Sequence, residues 1–115
     1  MEDLLRDVQK FCEERDWDQF HGPKDLAIGL VTEASELLEL FRFLADEEAL
    51  QRLQNSDSFK EQVSDELADV LFFLLRFAER QNINLQEALY QKLNKNQKKY
   101  PIEKAKGSNK KYTEL

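Results

Sequence analysis

One cysteine, one histidine, one tryptophan, two prolines and three glycines are all that 115 residues hold of these types. Cys12 has no intrachain partner, so no disulfide framework supports the fold, and a reducing, cytoplasmic-type compartment is expected. No apolar run approaches the roughly 18 residues of a membrane span. The opening "MEDLLRDVQK" lacks the charged-then-apolar order of a secretion signal, so no membrane partner is expected. Basic residues are scarce over most of the chain. Residues 1–91 carry 9 basic and 21 acidic side chains, a net −12, whereas residues 92–115 carry 8 basic and 2 acidic, a net +6. An acidic body with a basic end is not the profile of a nucleic-acid-binding protein.

Between the few glycines and prolines the apolar residues recur every three or four positions and do not alternate, which predicts an all-α fold. At 13.6 kDa the chain is long enough for one core, and association with further copies would bury more of its apolar surface. Leu4, Leu5, Val8, Phe11 and Cys12 outline a first helix, closed by the loop "RDWDQFHGPK". A second helix is expected from Asp25 to about Ala45, followed by a short one capped by Asp46. Ser58 and Glu61 have capping-box spacing for a third long helix reaching about Gln81, and Asn84 with Glu87 marks a fourth that Pro101 stops. The expected division is a helical domain over 1–101 and a basic tail over 102–115. That tail has too little apolar content to fold alone, so it is expected to be disordered or ordered by another surface.

The stretch "LVTEASELLELF", Leu30–Phe41, sets carboxylates into what otherwise reads as a buried helix face. With Glu33 at zero on a helical projection, Leu26 and Leu44 fall at about 20° and Leu37 at about 40°, so Glu33 lies inside the apolar stripe. Glu36, at about 300°, borders it. "SDELADVLFFLLRF" repeats the pattern: relative to Asp69, Glu66 falls at about 60°, between Phe73 at about 40° and Phe77 at about 80°. A buried carboxylate is costly to leave ionised and must be protonated, paired with a cation, or bound to a metal. Arg76 and Arg80 lie towards Asp69's side of the third helix, and Arg42 points away from Glu33, too few bases for four acids. Oxygen ligands on two helices suit Mg²⁺, with Mn²⁺ as the alternative. The competing reading is that acid pairs three apart are ordinary on helices of a chain with 35% charged residues. A ferritin-like di-iron site would need Glu-x-x-His pairs, and His21 is in a loop.

E-x-x-E, 29 residues, then E-x-x-D on consecutive long helices resembles the MazG-type all-α nucleoside triphosphate pyrophosphohydrolases. "RDWDQFHGPKDLAIGLVTEASELLELF" and "NKNQKKYPIEKAKGSNKKYTEL" resemble the branch of that family that acts on dCTP, so the likeness covers roughly residues 3–115. The resemblance implies a four-helix-bundle-type domain completed by homo-oligomerisation. It implies Mg²⁺-dependent cleavage of a deoxynucleoside triphosphate between its α and β phosphorus atoms, with Glu33, Glu36, Glu66 and Asp69 as metal ligands. Glu36, at the edge of its stripe, is then the candidate general base. Trp17 is implied to stack on the base, although with Phe20 it also reads as a plug over the bundle end. His21 is expected to anchor its loop, not to catalyse. Phe43 and Phe73 stand where relatives can carry larger or hydroxylated aromatics, and Val8 where some have histidine, so base selectivity is left open. Arg80 joins the substrate-binding set, as do Lys92, Asn96 and Tyr100, whose four-residue spacing puts a cation, an amide and a phenol on one face for phosphate and sugar. The tail lysines are expected to close over bound nucleotide.

Overall fold

The computed structural model describes residues 1–115. Its elements are α1 (Glu2–Glu14), a 3₁₀ turn (Asp18–Phe20), α2 (Pro23–Glu39), α3 (Asp46–Asn55), α4 (Asp57–Arg80), α5 (Leu85–Lys99), α6 (Ile102–Ala105) and a last 3₁₀ turn (Tyr112–Glu114). The all-α expectation holds, and no helix is long and apolar enough to cross a membrane. The residues form two compact units, Met1–Asn82 and Ile83–Leu115.

In the first unit α4 is the spine, with α1, α2 and α3 packed against it. No glycine or proline interrupts α4, and Ser56 starts it: the Ser56 Oγ accepts the Phe59 N–H at 3.2 Å. The cap is thus Ser56, not the Ser58 that the capping-box spacing suggested, because Ser56 keeps an extended backbone that aims its hydroxyl at the first turn. Asp46 does not cap either. Ala45 holds the N-cap position, and Asp46, Glu47 and Glu48 fill the first turn of α3, where the helix dipole favours acids.

The second helix departs from expectation at both ends. It begins at Pro23, whose fixed φ suits the first helical position, with Gly22 as N-cap. It ends at Glu39 and not near Ala45, because the backbone tightens there: the Leu40 N–H bonds the Leu37 carbonyl at 3.2 Å and the Phe41 N–H bonds the Leu38 carbonyl at 2.9 Å. The tightened turn sets Phe41 edge-on to Phe59 of α4, ring centroids 5.7 Å apart.

α1 ends in a Schellman motif. Asp16 takes a left-handed conformation (φ 55), its N–H bonds the Glu13 carbonyl at 3.0 Å, and the Trp17 N–H bonds the Cys12 carbonyl at 3.0 Å. Trp17 lies edge-on to Phe11 at 5.6 Å, the apolar contact that accompanies this motif. The core is small: Cys12, Leu26, Ala49, Phe59, Val63, Leu75 and Ala78 are buried, whereas Ile28, Val31 and Leu38 of α2 and Leu67, Leu71 and Leu74 of α4 are exposed.

In the second unit Asn84 caps α5 as expected, its Oδ1 accepting the Glu87 N–H at 3.0 Å, and α5 stops before Pro101. The tail is not shapeless. Tyr112 meets Tyr100 edge-on at 5.9 Å, and the Lys99 ammonium stands 4.8 Å from the Tyr112 ring. One aromatic pair with a cation is enough to turn the tail back onto the end of α5, which the low apolar content had hidden.

Candidate functional site

Glu33 on α2 and Glu66 and Asp69 on α4 each offer a carboxylate oxygen, and these oxygens all lie within 4.8 Å of one another. The helical spacing places them so: Glu66 and Asp69 are three residues apart on one face, and α4 packs against α2, which brings Glu33 alongside. Glu33 and Glu66 are half-buried, and the Oε2 of each is buried with no hydrogen-bond partner. Asp69 and Glu36 are exposed.

Burial, then the neighbouring carboxyl of Glu36 and the charges of Asp69 and Glu66, push the pKa of Glu33 up from 4.5 to about 7. Glu66 is raised as well, by burial first and by the charge of Glu36 next. Four acids with two orphaned buried oxygens and no base among them form an anionic site that lacks its counter-charge. A hard divalent cation fits this donor set, which contains oxygen alone and combines buried with solvent-facing ligands.

Arg76 and Arg80 do not supply that charge. Arg76 is fully buried and turned towards the loop between α1 and α2: its Nε donates to His21 Nδ1 at 2.9 Å, its Nη1 to Glu79 Oε2 at 2.6 Å, and its Nη2 to Asp18. Arg80 Nη1 lies 3.7 Å from Asp18 Oδ2. The hydrogen bond from Arg76 holds the Asp18 carboxyl below its ordinary pKa. His21 is lowered by burial and by the charges of Arg76 and Arg80, against Asp18 and Asp25, which keeps its ring neutral. Its expected role as a loop anchor matches this geometry.

A line of edge-to-face aromatics joins the loop to the acids. Trp17 meets Phe11 at 5.6 Å, Phe11 meets Phe72 at 6.1 Å, and Phe72 meets Phe73 at 5.4 Å. Phe73 is one turn beyond Asp69, and its ring lies on Gly29, one turn before Glu33; a Cβ on Gly29 would stand 2.4 Å from Phe73 Cε1. Gly29 is the residue that sequence reasoning missed here, and its signal was a glycine inside the apolar pattern of α2. Phe43 stands apart on the turn after α2, exposed, with the Arg42 guanidinium 4.9 Å from its ring centroid. Lys92 and Asn96 lie on α5 and Tyr100 at its end, all in the second unit.

Among known proteins, the model of the MazG-like family matches residues 28–115. The dCTP pyrophosphatase 1 of Bos taurus is 38% identical over 115 residues, all of this chain and 68% of that protein. The human protein of the same name is 39% identical over 115 residues, 67% of its length. The crystal structure of a pyrophosphatase from Archaeoglobus fulgidus superposes with a TM-score of 0.81 at 38% identity, covering 88% of this chain and 92% of that one.

Proposed function

The chain belongs to the MazG-like family, and from that membership we propose that it hydrolyses dCTP to the monophosphate and pyrophosphate, with Mg²⁺ as its metal. It is a nucleoside triphosphate pyrophosphohydrolase. The observation that carries the metal-dependent reading is the pair of buried, unpartnered oxygens on Glu33 and Glu66, within reach of Asp69.

Glu33, Glu66 and Asp69, with Glu36 at the solvent edge, would hold the cation. When bound, the cation offsets triphosphate charge and acidifies water. Glu36, exposed beside the cluster, takes the proton of the attacking water as a P–O bond of the anhydride bridge between the α and β phosphates breaks and the monophosphate and pyrophosphate separate. Trp17 stacks on the base with Phe73 at the far end of the same aromatic line, and Phe43 joins the substrate-binding set from its separate turn after α2. Arg80, Lys92, Asn96 and Tyr100 complete the substrate-holding set, the last three on their four-residue spacing. The catalytic domain spans 1–101 and residues 102–115 are its basic tail. The protein works in a reducing, cytoplasmic-type compartment, consistent with the lone buried Cys12.

We further propose a homo-oligomer, a dimer or tetramer, built on α2 and α4. Val31 is 68% exposed, and with Ile28 and Leu38 it forms an apolar strip on one side of α2, while Leu67, Leu71 and Leu74 form another on α4. Pyrophosphate release from a panel of nucleoside triphosphates with Mg²⁺, including 5-modified dCTP, tests the function. Preference for dCTP supports the proposal, a broad or modified-base preference replaces it with a house-cleaning role, and no turnover of any member leaves a non-catalytic helical module.

A further inference from the structure

Arg76 is the one charged residue without solvent access, and none of its partners is an acid of the metal cluster. A buried guanidinium is tolerated only when its donors are matched, and here its three nitrogens meet three acceptors in a fork. Two of them, Asp18 and His21, lie 58 and 55 residues away in sequence, on the loop that carries Trp17. The Arg76 Nε can only donate, so His21 Nδ1 must accept, and the ring is fixed as the neutral form with its proton on Nε2. That ring is in turn the wall against which Trp17 leans, edge-on with centroids 5.9 Å apart.

The position of Trp17 therefore has two determinants. On one side the Schellman turn of α1 fixes its backbone through the Cys12 carbonyl and its ring through Phe11. On the other, residues 18–21 are held locally by one 3₁₀ turn, with the Phe20 N–H on the Trp17 carbonyl at 2.9 Å and the His21 N–H on the Asp18 carbonyl at 3.3 Å, and by the Gln19 amide, which donates to Asp16. These local bonds hold the backbone of the turn, but none of them reaches the His21 ring to keep it against the indole. The long-range tie to α4 does so, and Arg80 adds a second, more exposed grip on Asp18.

We propose that Arg76 is a positioning residue for base recognition: by clamping Asp18 and His21 it holds Trp17 at the angle that a stacked base requires. Its link to base binding rests on the pyrophosphohydrolase reading above; its hold on Trp17 does not. Lysine cannot replace it, because a point charge on a flexible stem does not reproduce a planar fork serving three acceptors.

Trp17 is the only tryptophan in the chain, so its fluorescence reports on this loop alone. Two variants are compared with the intact protein, Arg76→Lys and Asp18→Ala, the second at a partly exposed site that spares the core. In the nucleotide-free protein, Arg76→Lys should raise acrylamide quenching of Trp17 about threefold, and Asp18→Ala should raise it less, because each loosens a grip on the loop. With dCTP, Arg76→Lys should raise KM about tenfold with kcat within about twofold, since uniform binding is lost while the acids are untouched. Unchanged quenching in helical, folded variants overturns the proposal, as does a fall in kcat at unchanged KM. If Arg76→Lys does not fold, Asp18→Ala decides: a rise in quenching supports the clamp and no rise overturns it. Failure of the intact enzyme to hydrolyse any nucleotide would sink the pyrophosphohydrolase reading, and the quenching result would then judge the clamp by itself.

Discussion

Replacing Glu33 by glutamine should separate stability from turnover. Glutamine keeps the shape of the side chain and removes a charge that the site disfavours. Because the folded-state pKa of Glu33 stands at about 7 instead of 4.5, its carboxyl contributes stability that is fully present below about pH 4.5 and lost as pH rises through about 7 in the metal-free protein. Taken at face value the difference corresponds to at most about 3 kcal/mol. The cluster opens to solvent at Glu36 and Asp69, so screening reduces this to about 1.5 kcal/mol. The metal-free Glu33→Gln protein should therefore melt about 6 °C above the parent at about pH 8, and the gap should close towards about pH 4. Mg²⁺ should reverse the order, since a ligand that binds only the folded parent raises its stability by mass action and has less to bind in the variant. Thermal unfolding with EDTA and with Mg²⁺ across that pH range, beside pyrophosphate release, measures both effects. A variant less stable than the parent without metal at high pH, or one with near-normal Mg²⁺-dependent turnover, would refute the reasoning.

Sedimentation should show a dimer or larger assembly at micromolar concentration, and Val31→Glu should shift it towards smaller species; a well-folded monomer of the parent chain would refute the interface on α2 and α4. Deleting residues 104–115 should raise KM and flatten its salt dependence if the tail lysines reach the nucleotide, and identical kinetics at low and high salt would remove the tail from catalysis. Gly29→Ala gains about 1 kcal/mol of helix propensity but drives a methyl into the Phe73 ring at a cost of about 2 kcal/mol, so urea unfolding should show a net loss near the difference. Adding Phe73→Leu should restore it, and a stabilised single variant would contradict the close approach.

The acid cluster was legible because two local facts decide it: a three-residue spacing on each helix, and an apolar stripe that tells which way each carboxylate faces. Glu33, Glu66 and Asp69 needed only α2 and α4 to be neighbours to be brought together. Asn84 and Pro101 were legible for the same reason, since a cap and a stop act within a turn. The errors lie where a distant residue chooses between local options. Ser56 and Ser58 both have the chemistry of a cap and the backbone at Ser56 decides between them, while the tightened turn that ends α2 is the one that docks Phe41 on Phe59 of another helix. Arg76 sat in the sequence as a base available to the acids; its true partners became visible only once Asp18 and His21 were folded over it.

That tie also bears on how the chain reaches its fold. Helices α1 to α4 form from contacts a few residues long, on the fast timescale of helix growth, but the clamp joins positions 55 to 58 apart and cannot close until the C-terminal half of α4 exists. During synthesis the Trp17 loop is complete and untethered while the whole stretch to Arg76 is still being made. Cys12, fully enclosed in the finished protein, spends that interval bare to solvent, so oxidative damage to this thiol is a hazard of the nascent chain and not of the folded one.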